Sequence, residues 1–380
     1  MGVNKLWQLL EPASTRISFH HHAVKQGFIG NFHGDRILWV GIDASHWICA
    51  AKARHGQTQS PELTALHLRC ERLAQLPVTP SFVFDGPERP NVKRDKIVRG
   101  SDHWLVEPFK EMLDGYGFRH SAASGEAEVE LARMSRAGIF DLVLTEDSDA
   151  MLFGALRVAR ENGPEDSTKQ TDLLLYHAED VAAHPDLGFT AEDLIFVALL
   201  SGGDYSVSGF NMLECEGAVS LNIYPKAGLQ GCGVVVASEL AKAGYGRRLI
   251  DGIRTLPSGV IGDFLDEWRQ DLRTELLQNS SGHLGTRHAS LARGIPDDFP
   301  AVDVLELYIN PAIHPGDLDV DSCLSFSSGE PRAADFAQFS ASHFQWGRTA
   351  QTLVKRYGDA FFPAMAVRQL IQAAVDIDEG

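Results

Sequence analysis

The sequence predicts an α/β fold in which a central, mostly parallel sheet is flanked by helices. Short apolar segments alternate with helical segments throughout the first half of the chain. The apolar segments are uninterrupted, as they are when a parallel sheet is covered on both of its faces. On this basis three strands are predicted, at residues 37–42, 81–84 and 142–144.

Helical periodicity separates these strands and then dominates the second half. Apolar residues recur at helical spacing within residues 62–76, 105–115 and 126–137. In the second half, a helix at 191–200 is followed by a glycine-rich region at 201–233. Further helices are predicted at residues 234–243, 261–277, 336–344, 349–357 and 364–374.

The composition limits the class of protein. The chain has 380 residues, with 34 Lys and Arg against 51 Asp and Glu, a formal net charge of −17. Excess acid disfavours nucleic-acid binding in general, although a local basic strip on an acidic protein is compatible with it. No apolar run approaches the roughly 20 residues that a membrane helix needs. The five cysteines are scattered, which favours a reducing, intracellular compartment.

Acidic residues follow each of the three predicted strands. Asp43 follows the first strand, Asp85 the second, and Asp147 and Asp149 the third. A single Asp in this position is often only a helix N-cap. Three such strands, however, would bring the four carboxylates to one edge of the sheet, outside the carboxyl ends of the strands. Carboxylates that close repel one another, and oxygen ligands suit Mg²⁺ or Mn²⁺. The sequence therefore predicts a divalent metal site.

Three further acids extend this set. Glu126 and Glu128 open a helix after Ser124. In the first turn both can face the edge of the sheet, or they can simply favour the helix dipole. Asp204 follows two glycines, which permit a close backbone approach. Considered alone, it is an ordinary loop residue.

Seven short motifs connect the sequence with a known nuclease family. They are MGVNKLW at 1–7, IDASHW at 42–47, FVFDGP at 82–87, GEAEVE at 125–130, TEDSDAMLFG at 145–154, LLSGGDY at 199–205 and GLQGCG at 228–233. In this combination the chain resembles the flap-endonuclease/XPG superfamily of structure-specific nucleases, and most of all its Holliday-junction-resolvase branch in the fungal-like form. The resemblance implies a PIN-like (5′-nuclease) core, a helix-hairpin-helix element and a small C-terminal helical region.

The resemblance also implies a role for the acids. The family uses two Mg²⁺ ions, which Mn²⁺ can replace, to hydrolyse a phosphodiester. One metal-binding group corresponds to Asp43, Asp85, Glu126 and Glu128, and the other to Asp147, Asp149 and Asp204.

DNA contacts are implied outside the acids. A basic segment after the second strand corresponds to the family's helical gateway, where a Lys and an Arg contact the scissile phosphate; a solvated basic loop is the alternative. The glycine motif at 228–233 predicts a hairpin that binds DNA phosphate through backbone N–H groups, together with a K⁺-like cation. The catalytic candidates are Lys93, Arg94, Lys96 and Arg99, and the DNA-binding candidates are Gly2, Gly228, Gly231 and Gly233.

One segment departs from the family pattern. Residues 207–225 separate two motifs that are almost adjacent in relatives. One interpretation is a retained short intron, because Val207 and Ser208 are what a GTAAGT donor site encodes. The other is a genuine surface insertion, which loops tolerate well. The predicted organisation is a nuclease core at 1–205, this insertion at 206–226, a helix-hairpin-helix region at 227–300 and a C-terminal helical extension at 301–380.

The predicted function is that of a Mg²⁺-dependent endonuclease acting on branched DNA, at 5′ flaps and Holliday junctions, in DNA repair and recombination. The resemblance further implies a nuclear location and a second protomer on a four-way junction, with no membrane. Two alternatives stay open. One is a catalytically silent relative that binds DNA junctions or a protein partner, and the other is a ribonuclease on a related α/β core.

Overall fold

A computed structural model describes most of the chain, namely residues 2–52, 60–89, 92–93, 96–97, 103–161, 172–203, 205, 228–313, 331–344, 346 and 349–380. Its strands are β1 (Ser14–Ser18), β2 (Leu38–Asp43), β3 (Val78–Phe84), β4 (Val92–Lys93), β5 (Lys96–Ile97), β6 (Arg119–Ala122), β7 (Leu142–Leu144), β8 (Arg157–Glu161) and β9 (Asp172–His177).

Seven of these strands form one sheet, in the order β1-β9-β8-β7-β2-β3-β6, and β4 pairs with β5. The neighbours from β8 to β6 are all parallel, whereas β9 runs antiparallel to both β8 and β1. The prediction of a mostly parallel sheet is confirmed. Strand β2 is buried along its whole length, in keeping with its central position and its apolar sequence.

The strands towards the edges of the sheet are missing from the sequence prediction. Strands β1 and β6 lie at the two edges, and β8 and β9 form the antiparallel extension. The sequence of β1 is STRIS and that of β8 is RVARE, and both strands carry partly or fully exposed polar side chains. Such strands lack the continuous apolar run of a central parallel strand, so apolar patterning alone does not reveal them.

Helices cover both faces of the sheet. A 3₁₀ turn at Glu11–Ala13 and a π-helical segment at Ala23–Ile29 accompany the first two helices. The helices are α1 (Leu6–Leu10), α2 (Phe19–His22), α3 (Ala44–Lys52), α4 (Pro61–Ala74), α5 (Val106–Tyr116), α6 (Ala127–Arg136), α7 (Asp149–Leu152), α8 (Ala178–Ala183), α9 (Ala191–Ser201), α10 (Val234–Lys242), α11 (Tyr245–Thr255), α12 (Ile261–Gln278), α13 (Ala289–Gly294), α14 (Val302–Ile309), α15 (Ala333–His343) and α16 (Ala350–Glu379).

Two apolar cores lie on opposite faces of the sheet. Val83 and Val143 point into the first core, and their strand neighbours Phe82 and Leu142 point into the second. This division follows from the alternation of side chains along a strand. The first core contains residues of α6, α7, α9 to α12 and α14, and the second contains residues of α3, α4, α5, α15 and α16.

The C-terminal helices differ from the prediction in one respect. The helices predicted at 349–357 and 364–374 are parts of a single helix, α16, which contains Pro363. Within the predicted C-terminal extension, α14 packs in the first core and α15 and α16 pack in the second. The domain boundaries stay a prediction. Among the described residues, no helix is both long and apolar enough to cross a membrane.

Candidate active site at the carboxyl edge of the sheet

The carboxyl ends of four parallel strands meet at one edge of the sheet. Ile42, one residue before Asp43, pairs with Leu144 at the end of β7. Phe84 at the end of β3 pairs with Ala122 at the end of β6. Each of these strand ends leads directly into a segment that carries predicted metal ligands, so the register of the sheet brings those segments together.

Asp43 is fully buried, and both of its carboxylate oxygens accept hydrogen bonds. The backbone N–H of His46 donates to Oδ1 at 3.0 Å, so Asp43 caps helix α3. The hydroxyl of Thr145 donates to Oδ2 at 3.1 Å, and the same hydroxyl oxygen accepts the backbone N–H of Asp147 at 3.0 Å. Thr145 therefore joins the end of β2 to the acidic loop that follows β7.

Asp85 links the end of β3 to two neighbouring helices. Its Oδ1 accepts the backbone N–H of Ala127 at 3.1 Å, in the first turn of α6. Its Oδ2 accepts the hydroxyl of Ser45 at 2.9 Å, in the first turn of α3. The guanidinium of Arg89 lies 3.6 Å from the same oxygen. The carboxylate is thereby fixed between the starts of α3 and α6.

Gly86, the residue after Asp85, is required for steric reasons. The backbone N–H of Gly86 donates to the carbonyl of Gly125 at 2.6 Å. A Cβ atom at Gly86 would lie 1.9 Å from the carbonyl oxygen of Ala123, which is far inside contact distance. The loop after β3 can therefore approach the segment before α6 only with glycine at this position.

Glu126 and Glu128 are buried at the start of α6, with exposed fractions of 5% and 6%. Glu126 precedes the helix and has an extended backbone. The side chains of Glu126 and Glu128 therefore need not point in the different directions that positions i and i+2 of a regular helix take. The hydroxyl of Tyr205 donates to Oε2 of Glu126. Burial, together with the charge of Glu126, raises the pKa of Tyr205 well above its usual value, so the hydroxyl keeps its proton.

Asp147 and Asp149 lie against the N-terminal segment. The backbone N–H of Asp149 donates to Oδ1 of Asp147 at 3.0 Å. The backbone N–H of Val3 lies 2.9 Å from the Ser148 hydroxyl oxygen and 3.2 Å from Oδ1 of Asp149. Gly2 has a positive φ of 75°, and a Cβ there would lie between 2.2 and 2.7 Å from side-chain oxygens of this loop. Only glycine fits at position 2.

The acids at this edge repel one another. Burial and the neighbouring charges of Asp85 and Asp147 raise the pKa of Asp43 to about 7, although hydrogen bonds from His46 and Thr145 oppose the shift. A cluster that resists ionisation in this way is stabilised by a divalent cation, because the cation restores the charged form of the carboxylates.

The donor set fits Mg²⁺ or Mn²⁺, because all six described acids offer oxygen. Within the described residues, no three acidic, histidine or cysteine side chains are grouped closely enough to hold an ion by themselves. Mg²⁺ usually keeps several water ligands and binds through one or two carboxylates and substrate phosphates. An open arrangement of carboxylates is therefore compatible with it.

Several predicted site residues lie outside the described residues. These include Asp204, whose neighbour Tyr205 contacts Glu126, and the insertion predicted at 206–226. Strands β4 and β5 place Lys93 opposite Lys96. The side chains of both lysines, and the whole of Arg94 and Arg99, also fall outside the described part of the chain.

The predicted glycine hairpin lies immediately before α10. Gly228 and Gly231 have positive φ angles of 94° and 86°, and Gly233 precedes the helix with an extended backbone. A Cβ at Gly228 would lie 2.4 Å from the backbone nitrogen of Gly202, so this glycine allows two segments to meet. At Gly231 and Gly233 no described atom lies within 4 Å of an added Cβ. These two glycines therefore leave the backbone accessible at the start of the helix.

The sequence motifs reveal the acids but do not reveal the side chains that hold them. Thr145 and Ser148 lie inside the TEDSD stretch, and Tyr205 lies inside the GGDY motif. Their proximity to predicted ligands was a usable signal, because metal-binding carboxylates are commonly held by hydrogen-bond donors. Tyr308, which packs against Tyr205, lies in a helix without any such signal.

Two family models match the chain. The XPG N-terminal domain matches residues 1–103 and the XPG I-region matches residues 117–204, which together amount to half of the chain. The chain belongs to the XPG family. The matched regions contain all seven acidic candidates and the four basic ones.

This XPG-family chain is similar to curated relatives from animals and plants. It is 30% identical over 243 residues to the Flap endonuclease GEN homolog 1 of Mus musculus, which covers 58% of this chain and 25% of the relative. It is 27% identical over 321 residues to the Flap endonuclease GEN-like 1 of Arabidopsis thaliana, covering 76% and 48%. The chain thus spans between a quarter and about half of the length of these relatives.

Solved structures extend the similarity over nearly the whole chain. The Holliday junction-resolving enzyme GEN1, in complex with product DNA and a Mg²⁺ ion, is 27% identical with a TM-score of 0.74, covering 97% of this chain and 80% of that one. A potassium-bound GEN-1 structure has a TM-score of 0.75 at 27% identity. The catalytic core of Rad2, at 21% identity and a TM-score of 0.62, shares the fold. The predicted PIN-like nuclease fold is confirmed.

Proposed function

We propose that this protein is a Mg²⁺-dependent, structure-specific endodeoxyribonuclease that hydrolyses phosphodiesters in branched DNA, at 5′ flaps and Holliday junctions. The observation that carries this proposal is the edge of the sheet, where acids that are buried or half-buried follow four neighbouring strand ends and lie within the matched XPG regions. A protein without catalytic function has no need of such a repelling cluster.

The residues of the chain have separable tasks in this function. Asp43 and Asp85, with Glu126 and Glu128, would hold one divalent ion, and Asp147 and Asp149, with Asp204, would hold the other. Bound ions supply activation of a water molecule and stabilisation of the leaving oxygen. The surrounding donors orient the carboxylates, as Thr145 does for Asp43 and Tyr205 does for Glu126.

DNA would be held by groups on both sides of the acids. The accessible backbone around Gly231 and Gly233 suits a phosphate and a K⁺-like cation at the start of α10. Gly2 and Gly228 allow close packing of the segments beside these sites. Lys93, Arg94, Lys96 and Arg99 are proposed to contact the scissile phosphate. A four-way junction would take two protomers, and the cellular setting would be DNA repair and recombination in the nucleus.

Two observations favour the alternative of a catalytically silent junction-binding protein. The described acids do not close around an ion by themselves, and residues 206–226 separate the GGDY motif from the hairpin. Such a protein would bind branched DNA equally well with and without divalent metal and would leave every strand intact.

A cleavage experiment distinguishes these functions. The full chain is incubated with a 5′-flap duplex and with a four-way junction, in Mg²⁺ and in EDTA. Asp147→Asn removes a proposed ligand, and Asp186→Asn, at an exposed loop position, is the matched control. A variant without residues 207–225 tests the insertion, and an RNA duplex of the same shape tests the ribonuclease reading.

The expected result is cleavage of branched DNA in Mg²⁺ only. It should fall by more than about a hundredfold in Asp147→Asn, because loss of a ligand costs more than loss of the groups that orient it. Asp186→Asn should cleave like the wild type. If only the shortened variant cleaves, the inserted segment blocks an otherwise active enzyme. Tight junction binding without cleavage by either form would contradict the proposal.

A further inference from the structure

Helix α14 brings an aromatic side chain to the acidic edge. Tyr308, near the end of this helix, is 3% exposed and belongs to the first core. Its ring centroid lies 4.6 Å from that of Tyr205, with the planes at 60°. It also stacks at 6.3 Å on Phe153, the residue that follows helix α7. The tyrosine thus contacts two segments that begin or end beside proposed metal ligands.

The chain after Tyr308 touches a third such segment. A Cβ at Gly125 would lie 3.1 Å from the Cβ of Ala312, so Ala312 packs directly against the residue before Glu126. A Cβ at Gly203 would lie 2.0 Å from the hydroxyl oxygen of Tyr308. Residues 308–312 therefore pack against the backbone that precedes Glu126 and Tyr205 and restrict the movement of both segments.

We propose that Tyr308 is a positioning residue for the acidic site, and that it acts through Tyr205, whose hydroxyl orients the carboxylate of Glu126. This proposal rests on the proposed function, because it assigns Tyr308 a part in binding the divalent ion. The proposal does not make Tyr308 a ligand of the ion or a contact to DNA. Its contribution is to hold the ring of Tyr205 in the one orientation from which the hydroxyl reaches Glu126.

Tyr308 acts in this proposal by restricting the rotamer of Tyr205. Edge-to-face ring pairs are favourable at this separation and fix the relative orientation of two aromatic side chains. A hydrogen bond to a carboxylate is strong and directional, so its geometry depends on where the donor ring is held. Partners that orient a metal ligand change metal affinity by roughly 10- to 100-fold when they are removed. This relay from Tyr308 through Tyr205 to Glu126 should therefore be detectable in measurements of metal binding alone.

The test is Mn²⁺ binding by the full chain without DNA, measured by calorimetry. Tyr205→Phe removes the hydroxyl but keeps the ring. Tyr308→Leu removes the ring contact, and Tyr308→Phe restores it. The matched control is Tyr116→Phe, which deletes a buried hydroxyl at 2.7 Å from Nδ1 of His67 in the second core. Thermal unfolding and circular dichroism are recorded for each variant.

We expect Tyr205→Phe and Tyr308→Leu to weaken Mn²⁺ binding by about tenfold or more. Tyr308→Phe should stay within about threefold of the wild type, since it retains the ring that the argument requires. Tyr116→Phe should lower the unfolding temperature without changing Mn²⁺ affinity.

The proposal is overturned if Tyr308→Leu is folded and binds Mn²⁺ with the affinity of the wild type, even where its unfolding temperature is lower. If Tyr308→Leu does not fold, Tyr205→Phe decides, since it keeps every ring contact; unchanged affinity in this variant contradicts the relay. The wild type separates the two proposals. If it binds no Mn²⁺ either alone or with a cleavage-resistant four-way junction, the proposed metal site fails and the relay fails with it, whereas normal binding without DNA cleavage removes only the nuclease function.

Discussion

The two sides of the acidic edge are built in different ways. On one side, Asp43 and Asp147 share the hydroxyl of Thr145, and Asp149 lies against the N-terminal segment at Val3. Among the described residues, the hydrogen-bond donors to these acids come from the first 150 residues. On the other side, Asp85 accepts hydrogen bonds from Ser45 and Ala127, whereas Glu126 accepts one from Tyr205, in the segment after α9. The position of the Glu126 carboxylate therefore depends on the second half of the chain.

This difference predicts where changes elsewhere in the protein act. A disturbance after residue 200 reaches the Glu126 side first, because Tyr205 and Tyr308 both lie there. The side with Asp43 and Asp147 is fixed by contacts within the sheet and by the N-terminal segment. Residues 206–226 directly follow Tyr205 in the sequence and precede the glycine hairpin, so we expect an effect of this segment on metal binding to act through Glu126 and an effect on DNA binding to act through the hairpin.

The largest expected effect comes from removing one ligand on each side. Asp149→Asn and Glu126→Gln should each reduce DNA cleavage by more than about a hundredfold, because each removes a charge that attracts the ion. Single-turnover cleavage of a four-way junction measures the effect, with Glu111→Gln, an exposed residue of α5, as the control. Near-normal cleavage by either variant would mean that its side of the edge is not needed.

The next effect sharpens the comparison at Thr145. Thr145→Val keeps the shape of the side chain but removes the hydroxyl that bonds Asp43 and Asp147. Mn²⁺ affinity should fall by roughly tenfold. Thr145→Ser should retain most of the affinity, because it keeps the hydroxyl. Equal binding by the valine and serine variants would show that the link from the Asp43 carboxylate through the Thr145 hydroxyl to the backbone of Asp147 does not contribute to Mn²⁺ binding.

A third effect concerns stability without metal. The pKa of Asp43 is raised to about 7 in the folded protein, from 3.8. An acid with a raised folded-state pKa disfavours folding increasingly as the pH rises from about 4 to about 7. In EDTA at pH 8, Asp43→Asn should therefore be more stable than the wild type by roughly 1–2 kcal/mol, with a smaller difference at pH 5. Thermal unfolding measures both, and a pH-independent difference would contradict this assignment.

The smallest expected effect tests how firmly the loop that carries Asp147 and Asp149 is anchored. The carboxylate of Glu146 accepts the side chain of Arg160 at 2.9 Å and the backbone N–H of Glu161 at 2.7 Å. Glu146→Ala should lower the free energy of unfolding by about 1 kcal/mol and change Mn²⁺ affinity less than threefold. The reason is that Thr145 and Val3 still hold the loop. Glu146→Gln, which keeps an acceptor for Glu161, should be closer to the wild type in unfolding measurements.

Much of the fold could be predicted from the sequence, for a physical reason. Strands β2 and β7 are buried along their whole length and β3 along most of it, and each contains a short apolar run that an acid follows closely. Strands β1 and β8 carry exposed polar side chains, whereas β9 contains an apolar run at 173–176 that was a usable signal. These strands are stabilised by hydrogen bonds to neighbouring strands, and a local sequence pattern does not reveal such pairing.

The site shows the same division. Asp43, Asp85 and the acids after β7 are visible in the sequence because each follows a strand, and the register of the sheet then brings them together. The contact of Tyr308 with Tyr205 joins residues about a hundred positions apart, one in α14 and the other in the segment after α9, within the first core. Such a contact depends on tertiary packing, and periodicity cannot predict it.

The most direct test of the account is the position of the metal. Crystals of the protein with a four-way junction and Mn²⁺ would be examined by anomalous diffraction. The account predicts anomalous peaks at the carboxyl edge of the sheet, within about 2.6 Å of carboxylate oxygens of Asp147 or Asp149 on one side and Asp85 or Glu126 on the other. Mn²⁺ bound elsewhere, with no peak at this edge, would contradict it.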